Sequence, residues 1–343
     1  MKVFLVDRTI HENVVYSQLL MPLQCLNNKQ HLLLLPETLL KKHKDDMFQF
    51  QICRYHSRLS KYRMLFRFSA IREIYTRSVF EFMSLYLLRA LFLKKWNITY
   101  DFRGLAYAEY ALRKKEDIKC MILKQIEKFV SHNADSIRTV SYQFADFLRQ
   151  NWSVKKQIQV IPCCISEVFL VEKSFLDRPI SFVYVGSMAR WQRFDDLLDL
   201  YKKLAKLLKT RLTIITSDVV MAKHKLLQAD IPADVISLPQ QLVAQELKKH
   251  DFGFLLRENR LLNQVASPIK FLEYIGNGVI PILSEGIGDY ANLCKKHGIG
   301  IIESADIQQM AQEIIRLRTD QTIQKRLYDV ASQYTWKNYL NVF

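Results

Sequence analysis

Short, uniformly apolar runs alternate with longer amphipathic stretches along the whole chain, and this alternation is the strongest constraint on the fold. Eleven runs are predicted strands, at 2–6, 31–36, 48–53, 97–102, 158–164, 180–187, 211–217, 234–239, 251–256, 279–283 and 298–303. Runs that are apolar throughout predict strands covered by helices on both faces. The intervening segments carry helical periodicity, as in FDDLLDLYKKLAKLLK at 194–209. This order predicts an α/β fold with mainly parallel sheets.

The length of 343 residues exceeds what one hydrophobic core usually serves, so two domains are expected. The most plausible break is 163–180, which follows a strand and carries mixed charge before a strong new strand. We predict domains at 1–165 and 166–332, with a C-terminal helix at about 333–343 that packs back on the first. The strand count predicts two doubly wound, Rossmann-like domains. Ligands of such sheets bind beyond the carboxyl ends of the strands, and two domains offer a cleft between them.

Charge predicts an anionic partner. Lys and Arg outnumber Asp and Glu by 50 to 34, a net charge of +16, which attracts nucleic acid, an anionic membrane surface or a phosphorylated substrate. Part of the excess lies at 54–77, where seven basic residues and one acid alternate with aromatic residues, and the largely apolar 79–93 follows. This composition is typical of a helix resting on an anionic membrane. It also suits nucleic acid, or a solvated basic face.

The six cysteines show no Cys-x-x-Cys spacing, so neither a zinc site nor a disulfide framework is expected, and a reducing cytosol is the predicted compartment. The longest apolar run, 79–93, contains Glu81 and Arg89 and is too short to span a bilayer. We therefore expect no transmembrane helix, and any membrane contact should be at the surface.

The segment SPIKFLEYIGNG, 267–278, predicts a helix that presents a binding group at its start. Ser267 is the predicted cap, followed by proline at the first helical position, and the glycines at the end stop the helix. A lysine in the first turn, Lys270, opposes the helix dipole unless an anion joins it. Glu273 lies one turn on. The alternative is a Lys–Glu pair on a solvated face.

A second basic site is predicted in FVYVGSMARWQRFDDLL, 182–198, where a strong strand is followed by glycine and two arginines. Gly186 permits close approach of a ligand to the backbone, and Arg190 and Arg193 are suited to clamp a phosphate. Neither a G-x-G-x-x-G motif nor a P-loop is present. Two basic sites on one sheet edge, one with a carboxylate beside it, favour a nucleotide diphosphate.

The second half resembles the nucleotide-sugar domain of glycosyltransferase family 4, whose members have the GT-B fold. The matching segments are YVGSMARWQRFDDLL, HDFGFLLRENRLLNQVASPIKFLEYIGNGVIPILSEGIGDY and the closing ASQYTWKNYLNVF. ADSIRTVS at 134–141 and VIPCCISEVF at 160–169 resemble the end of the acceptor domain and the crossing into the donor domain. The resemblance covers residues 97–343. In residues 1–96 only the order of predicted strands and helices is similar to the family. The resemblance implies a first domain that binds acceptor and a second that binds donor.

The resemblance also implies roles for particular residues. Members of the family hold the donor pyrophosphate with a basic pair and the ribose hydroxyls with a glutamate, which by position are Arg190, Lys270 and Glu273. The family usually has another glutamate eight residues before the ribose one, and this chain has Val265 there. Glu258 is the candidate substitute.

The reaction implied is retaining transfer of a sugar, of the hexosyltransferase type, from a nucleotide-diphosphate sugar linked to UDP or GDP. Fixed cations at the leaving phosphate stabilise the transition state more than the ground state. Arg190 and Lys270, with the helix start at Ser267, are expected to do this without a metal or other cofactor. The chain has no convincing Asp-x-Asp motif: Asp45-Asp46 lies in a charged loop and Asp195-Asp196 opens a helix.

Acceptor residues are predicted at the carboxyl ends of two strands of the first domain. Asp101 and Arg103 follow the strand at 97–102 and are placed to deprotonate or bind an acceptor hydroxyl. Alternatively, Asp101 caps the next helix or pairs with Arg103. His11, after the first strand, is a further acceptor-binding candidate, unless it is merely solvated.

Together these expectations describe a cytoplasmic glycosyltransferase, peripheral at the inner face of the cell membrane through 54–95, whose acceptor is a lipid-linked or surface-polysaccharide glycan. Nucleic acid is not an expected partner. Two alternatives stay open: a basic nucleic-acid-binding protein, which should show steeply salt-dependent binding, and another GT-B enzyme such as a nucleotide-sugar epimerase.

Overall fold

A computed structural model describes residues 1–7, 15–25, 31–39, 50–114, 117–173 and 178–342. Contacts divide the chain into two compact units. The first comprises Met1–Cys163 together with Trp336–Phe343, and the second Cys164–Thr335. The domain boundary predicted from the sequence lies after residue 165. Each unit is built on one parallel sheet.

The sheet of the first unit has seven strands: β1 Lys2–Leu5, β2 His31–Pro36, β3 Gln51–Tyr55, β4 Glu73–Thr76, β5 Asn97–Phe102, β6 Ser136–Thr139 and β7 Ile158–Val160. Their order is β3-β2-β1-β4-β5-β6-β7, and every neighbouring pair is parallel. The chain first winds outward from β1 in one direction and then in the other. This is the doubly wound arrangement, whose switch point lies between β1 and β4.

Helices connect these strands. They are Met21–Cys25, entered through a π-helical turn at Tyr16–Leu20, and Arg58–Arg67, Val79–Leu91, Ala106–Arg113, Ile118–Asn133 and Tyr142–Trp152. Four of them begin at a serine or aspartate whose side chain accepts a backbone N–H: Ser57, Ser78, Asp117 and Ser141. These caps satisfy donors that the first helical turn leaves unpaired. In the part of the chain that the structure describes, no helix is sufficiently long and apolar to cross a bilayer.

The second unit has six strands: β8 Ile180–Val185, β9 Thr210–Ile215, β10 Asp234–Ile236, β11 Phe252–Leu255, β12 Ile280–Leu283 and β13 Ile301–Ile302. All neighbours are parallel, in the order β10-β9-β8-β11-β12-β13. The helices are Phe194–Ala205, Val219–Ala229, Gln240–Leu247, Leu261–Gln264, Ile269–Gly276, Tyr290–His297, Ile307–Thr319 and Ile323–Ser332. A 3₁₀ turn spans Arg190–Gln192, and another, Trp336–Val342, belongs to the first unit.

The α/β prediction is confirmed, and all six strands predicted for the second unit are present with shorter bounds. In the first unit the prediction missed two strands, β4 and β6. Each has four residues, EIYT and SIRT, and each contains or adjoins charged side chains. Both lie inside the sheet, where pairing on both sides holds a strand that its own composition does not specify.

One close contact fixes the helix Ile269–Gly276 on the second sheet. A Cβ at Gly253 would lie 2.7 Å from the ring of Tyr274, so glycine on β11 lets this tyrosine lie directly against the strand. The Tyr274 hydroxyl donates to the Phe254 carbonyl at 3.1 Å and accepts from the Val185 N–H at 3.1 Å. The helix is therefore tied to β8 and β11 together, and its first turn lies at the carboxyl edge of the sheet.

Candidate functional site

The first turn of the helix Ile269–Gly276 differs from the prediction. Pro268, with φ −65° and ψ 118°, occupies the cap position, and no side chain caps the helix. The hydroxyls of Ser267 and Tyr290 instead share a hydrogen bond of 2.7 Å. The predicted Ser267 cap is wrong, because that hydroxyl is used to hold the preceding loop against a neighbouring helix. The cap residue itself, a proline, offers no side-chain acceptor to the N–H groups of the first turn.

Lys270 points from this turn toward the end of β8. Its ammonium lies 3.4 Å from the amide oxygen of Gln192 and 5.7 Å from the ring centroid of Tyr184. Burial, and after it the positive charge of Arg257, lowers the pKa of Lys270 to about 7, against an opposing effect of Glu273. An ammonium with a neutral acceptor and a second cation nearby is a site that gains from an anion.

Arg257 is the functional candidate that the sequence reasoning missed. It lies two residues beyond the end of β11, and its guanidinium donates to the same Gln192 amide oxygen that Lys270 approaches. Its backbone N–H donates to the Ser284 hydroxyl at 3.0 Å. Burial lowers its pKa below the usual arginine value. The available signal was position, since an arginine shortly after a central strand lies at the carboxyl edge.

Two cations therefore converge on one neutral oxygen. Among the described residues, no carboxylate lies within 4 Å of either Lys270 or Arg257. Buried charges are normally paired, because burial without a counter-charge is costly. The arrangement is one that a ligand with two or more negative charges would neutralise.

Gly186 gives the ammonium room to reach this position. A Cβ on Gly186 would lie 2.5 Å from Lys270 Nζ and 2.6 Å from the hydroxyl of Tyr184. That hydroxyl is itself fixed, because it donates to the Ser187 carbonyl at 2.6 Å. The predicted role of Gly186 was to admit a ligand to the backbone. In the structure the glycine first of all admits Lys270.

Glu273 lies one turn beyond Lys270. Its carboxylate accepts a hydrogen bond of 3.0 Å from the side-chain amide of Gln240. Burial raises the pKa of Glu273, and the charge of Lys270 opposes this rise. A half-buried carboxylate one helical turn from Lys270, with an amide partner, is suited to accept hydrogen bonds from hydroxyl groups of a ligand.

The predicted Arg190 does not join this cluster. Its side chain is 92% exposed, and its Nε lies 4.0 Å from Glu258, which pairs more closely, at 2.5 Å, with Arg260. Glu258, the candidate for the missing glutamate, is therefore already engaged. At the usual position, Val265 is buried and apolar.

Arg193 shares a partner with Arg257, because its guanidinium and the Arg257 backbone N–H both donate to the Ser284 hydroxyl, at 3.1 and 3.0 Å. It adopts the left-handed conformation, with φ +48°, between the 3₁₀ turn and the helix Phe194–Ala205. Its guanidinium pairs with Glu303 at 2.6 and 3.0 Å and with Asp196 at 2.6 Å. Two carboxylates neutralise this charge, so it is not available to a phosphate in this arrangement.

In the first unit, Asp101 is a buried centre of ion pairs. Its carboxylate accepts from Arg103 Nε at 2.6 Å, from Arg77 Nε at 3.0 Å and from the Tyr75 hydroxyl. Although burial alone would raise its pKa, Arg103 and Arg77 hold the pKa of Asp101 at about 2. Such a carboxylate is a weak base. The alternative left open by the sequence, a pair with Arg103, is present.

Arg103 is committed to the same cluster. It also approaches the Ile161 carbonyl at 3.4 Å and the side-chain oxygen of Gln18 at 3.5 Å. His11, the remaining acceptor candidate, lies outside the described residues. Asp45-Asp46 also lies outside them. Within the ranges that the structure describes, no group of three or more His, Cys, Asp and Glu side chains is arranged to hold a metal ion.

Comparisons with known proteins identify the fold. No protein-family model matches the chain, and no curated protein matches its sequence. Among solved structures, a sucrose-phosphate synthase from Thermosynechococcus elongatus is similar with a TM-score of 0.72 and 13% identity, over 99% of this chain and 96% of that one. Anabaena HepE, solved with UDP-glucose, has a TM-score of 0.71 and 11% identity, over 99% and 98%.

A third similar structure is WaaG, a glycosyltransferase involved in lipopolysaccharide biosynthesis. Its TM-score is 0.65 at 11% identity, over 100% of this chain and 96% of that one. These similarities extend over both units, and the relatives are GT-B proteins with two Rossmann-like domains. The chain therefore has the GT-B fold, as predicted.

Proposed function

We propose that the protein is a glycosyltransferase that takes its sugar from a nucleotide-diphosphate sugar. One observation carries the proposal: Lys270 and Arg257 converge on Gln192, at the carboxyl edge of the second sheet, with no carboxylate within 4 Å among the described residues. A diphosphate brings the negative charge that this pair requires. A parallel sheet binds its ligand at that same edge.

The two cations would act on the leaving group. As the bond between sugar and diphosphate breaks, negative charge grows on the leaving phosphate, and cations fixed beside it stabilise the transition state more than the ground state. In this proposal Arg257 takes the part that the family resemblance assigns to Arg190. Because two side chains supply the positive charge that a divalent cation otherwise supplies, the proposal includes no metal.

Glu273 would bind the nucleoside. Its carboxylate lies one helical turn from Lys270, so a ribose next to the diphosphate is within its reach, and ribose hydroxyls are donors that a carboxylate accepts. The amide of Gln240, bonded to Glu273 at 3.0 Å, would hold that carboxylate in position. HepE has been solved with UDP-glucose, and we propose a UDP-linked hexose as the donor, with GDP as the alternative base.

The finer features rest on the family resemblance. Membership of glycosyltransferase family 4 and retention of the anomeric configuration are proposed from SPIKFLEYIGNG and YVGSMARWQRFDDLL. A lipid-linked or surface-polysaccharide acceptor, used in polysaccharide biosynthesis by a cytoplasmic protein at the membrane surface, is supported by the basic region at 54–95. The acceptor would bind in the first unit.

Thermal stabilisation by UDP, GDP, CMP and ADP tests the donor site. A ligand at about one hundred times its dissociation constant adds about 2.7 kcal/mol to the stability of the parent. The variant Lys270→Ala should lose most of this gain. Lys223→Ala, an exposed lysine of the same unit, is the matched control and should keep it. If no nucleotide stabilises the folded parent, or if Lys270→Ala is stabilised equally, the proposed site is wrong.

A further inference from the structure

The helix Val79–Leu91 ends in three large, mostly exposed apolar side chains, of which Phe92 packs its ring edge-on against that of Phe66 at 4.9 Å. Leu91 is 75% exposed, Phe92 57% and Leu93 87%. Single exposed apolar residues are common on soluble proteins, whereas a contiguous group of them indicates an interaction site. We call Leu91–Leu93 the apolar tip.

The backbone of the tip is as unusual as its side chains. Leu93 adopts φ +48°, and the Lys94 N–H closes the helix by donating to the Arg89 carbonyl at 3.0 Å. A left-handed residue at this point of a helix end is usually glycine, because a Cβ makes the conformation unfavourable. Folding would therefore be served better by glycine than by an exposed leucine. Packing within the described residues does not offset this cost, because the Leu93 side chain is 87% exposed.

A second apolar surface lies beside the helix Val79–Leu91, which we call the tip helix. The helix Ile118–Asn133 contacts Val79–Leu91, with the rings of Tyr86 and Phe129 5.3 Å apart. Its exposed side includes Ile118, Met121 and Ile122, which line an apolar groove with Met83 of the tip helix. Of the twenty exposed large apolar side chains in the described ranges, ten lie between residues 59 and 129 of the first unit.

Lysines flank these apolar side chains in the sequence. Two follow the tip and three lie on the helix Ile118–Asn133, and within the described residues none has a carboxylate within 4 Å: Lys94, Lys95, Lys119, Lys124 and Lys128. Exposed apolar side chains flanked by lysines match an anionic bilayer, where the apolar groups enter the interface and the ammonium groups meet the headgroups. A flat protein interface would need a broader apolar area with fewer lysines.

We propose that the apolar tip inserts into the surface of an anionic lipid bilayer, with Lys94 and Lys95 at the headgroups and the helix Ile118–Asn133 as a second contact. The proposal deepens the membrane association in the proposed function, on which it rests in part, by naming the inserting residues. Binding of the tip to the bilayer requires neither a bound nucleotide nor sugar transfer. Its failure is therefore distinguishable from failure of the donor site.

Vesicle flotation of the full chain tests the tip, with vesicles of phosphatidylcholine alone and with about one third phosphatidylglycerol added. The parent should float with the anionic vesicles. Leu93→Gly should bind about tenfold or more weakly, since one large apolar side chain no longer leaves water. Its thermal midpoint should be at least that of the parent, because glycine relieves the left-handed backbone. Lowered binding without lowered stability separates insertion from misfolding.

Two further variants complete the test. Lys94→Gln with Lys95→Gln should weaken binding to anionic vesicles about fivefold for each charge removed, because each lysine near the surface contributes about 1 kcal/mol. Val220→Ser with Leu227→Ser is the matched control, since these side chains are 85% and 81% exposed in the other unit. The control should bind like the parent.

Three results would overturn the proposal. The first is a parent that binds no vesicles, or that binds neutral and anionic ones equally. The second is a control variant that loses as much binding as Leu93→Gly. The third is a lipid-free parent that self-associates through the tip, shown by Leu93→Gly turning a dimer into a monomer, because the tip would then be an interface between copies.

Discussion

Raising the pH from about 6 to about 8.5 should weaken nucleotide binding through one group, Lys270. Burial and the neighbouring Arg257 lower the pKa of Lys270 from 10.5 to about 7 in the free protein. A bound diphosphate would favour the charged form and raise the pKa again. Binding must then take up a proton wherever free Lys270 is neutral, so affinity should fall as pH rises through about 7.

The size of the effect follows from this pKa. Free Lys270 is protonated about nine times in ten at pH 6, about half the time at pH 7 and about once in ten at pH 8. Proton uptake on binding should therefore be about 0.1, 0.5 and 0.9 at these three pH values. Between pH 6 and pH 8.5 the dissociation constant should rise about thirtyfold, or about 2 kcal/mol. Terminal phosphates titrate near pH 6, so the decisive range lies above 7.

Isothermal titration calorimetry in buffers of different ionisation enthalpy measures both quantities, with the nucleotide that stabilises the parent best. Lys270→Arg is the matched control. Its charge persists throughout this pH range, so its affinity should be nearly flat above pH 7 with little proton uptake. A flat profile in the parent, or an equal slope in Lys270→Arg, would refute the assignment of Lys270 as the phosphate ligand.

Three other outcomes are expected. Asp101→Asn should lose about 3–5 kcal/mol of unfolding free energy in urea, because two buried arginines lose their counter-charge; a loss below about 1 kcal/mol would contradict this. Gly186→Ala should lower nucleotide-induced stabilisation, since the added Cβ would lie 2.5 Å from Lys270 Nζ; full stabilisation would show that this approach is not needed. Arg257→Met should weaken nucleotide binding about 10–100-fold by calorimetry, and Arg190→Ala less than about threefold; the reverse ranking would return the phosphate role to Arg190.

The six strands of the second unit were predictable because they are apolar runs that sheet burial requires, as in FVYV and VIPIL. The two missed strands, β4 and β6, are short and carry Glu73 and Arg138. These charged side chains are accommodated in the sheet because neighbouring strands place partners beside them, such as Lys2 at 3.0 Å from Glu73. Sequence periodicity does not record such cross-strand pairing.

The candidate site was predictable where local structure defines it. Lys270 and Glu273 were predictable because they lie one turn apart at the start of a helix that follows Ser-Pro. A lysine in the first turn opposes the helix dipole, and this indicates an anion-binding site. Arg190 was favoured by its distance after Gly186. The 3₁₀ turn at Arg190–Gln192 then directs Gln192 inward, so Arg257 from another strand meets it there. The contact between Arg257 and Gln192 depends on tertiary structure, and their spacing in the sequence does not predict it.

Sugar transfer itself is the most direct test of the proposed function. Radiolabelled UDP- and GDP-sugars would be incubated with the folded parent and with a membrane extract containing lipid-linked glycans, and label in the extract would be counted. We predict that one donor labels the extract with the parent and that Lys270→Ala does so at least tenfold more slowly, as loss of a charged hydrogen bond implies. Equal transfer by both proteins would contradict the assigned site, and no transfer from any donor would contradict the glycosyltransferase proposal.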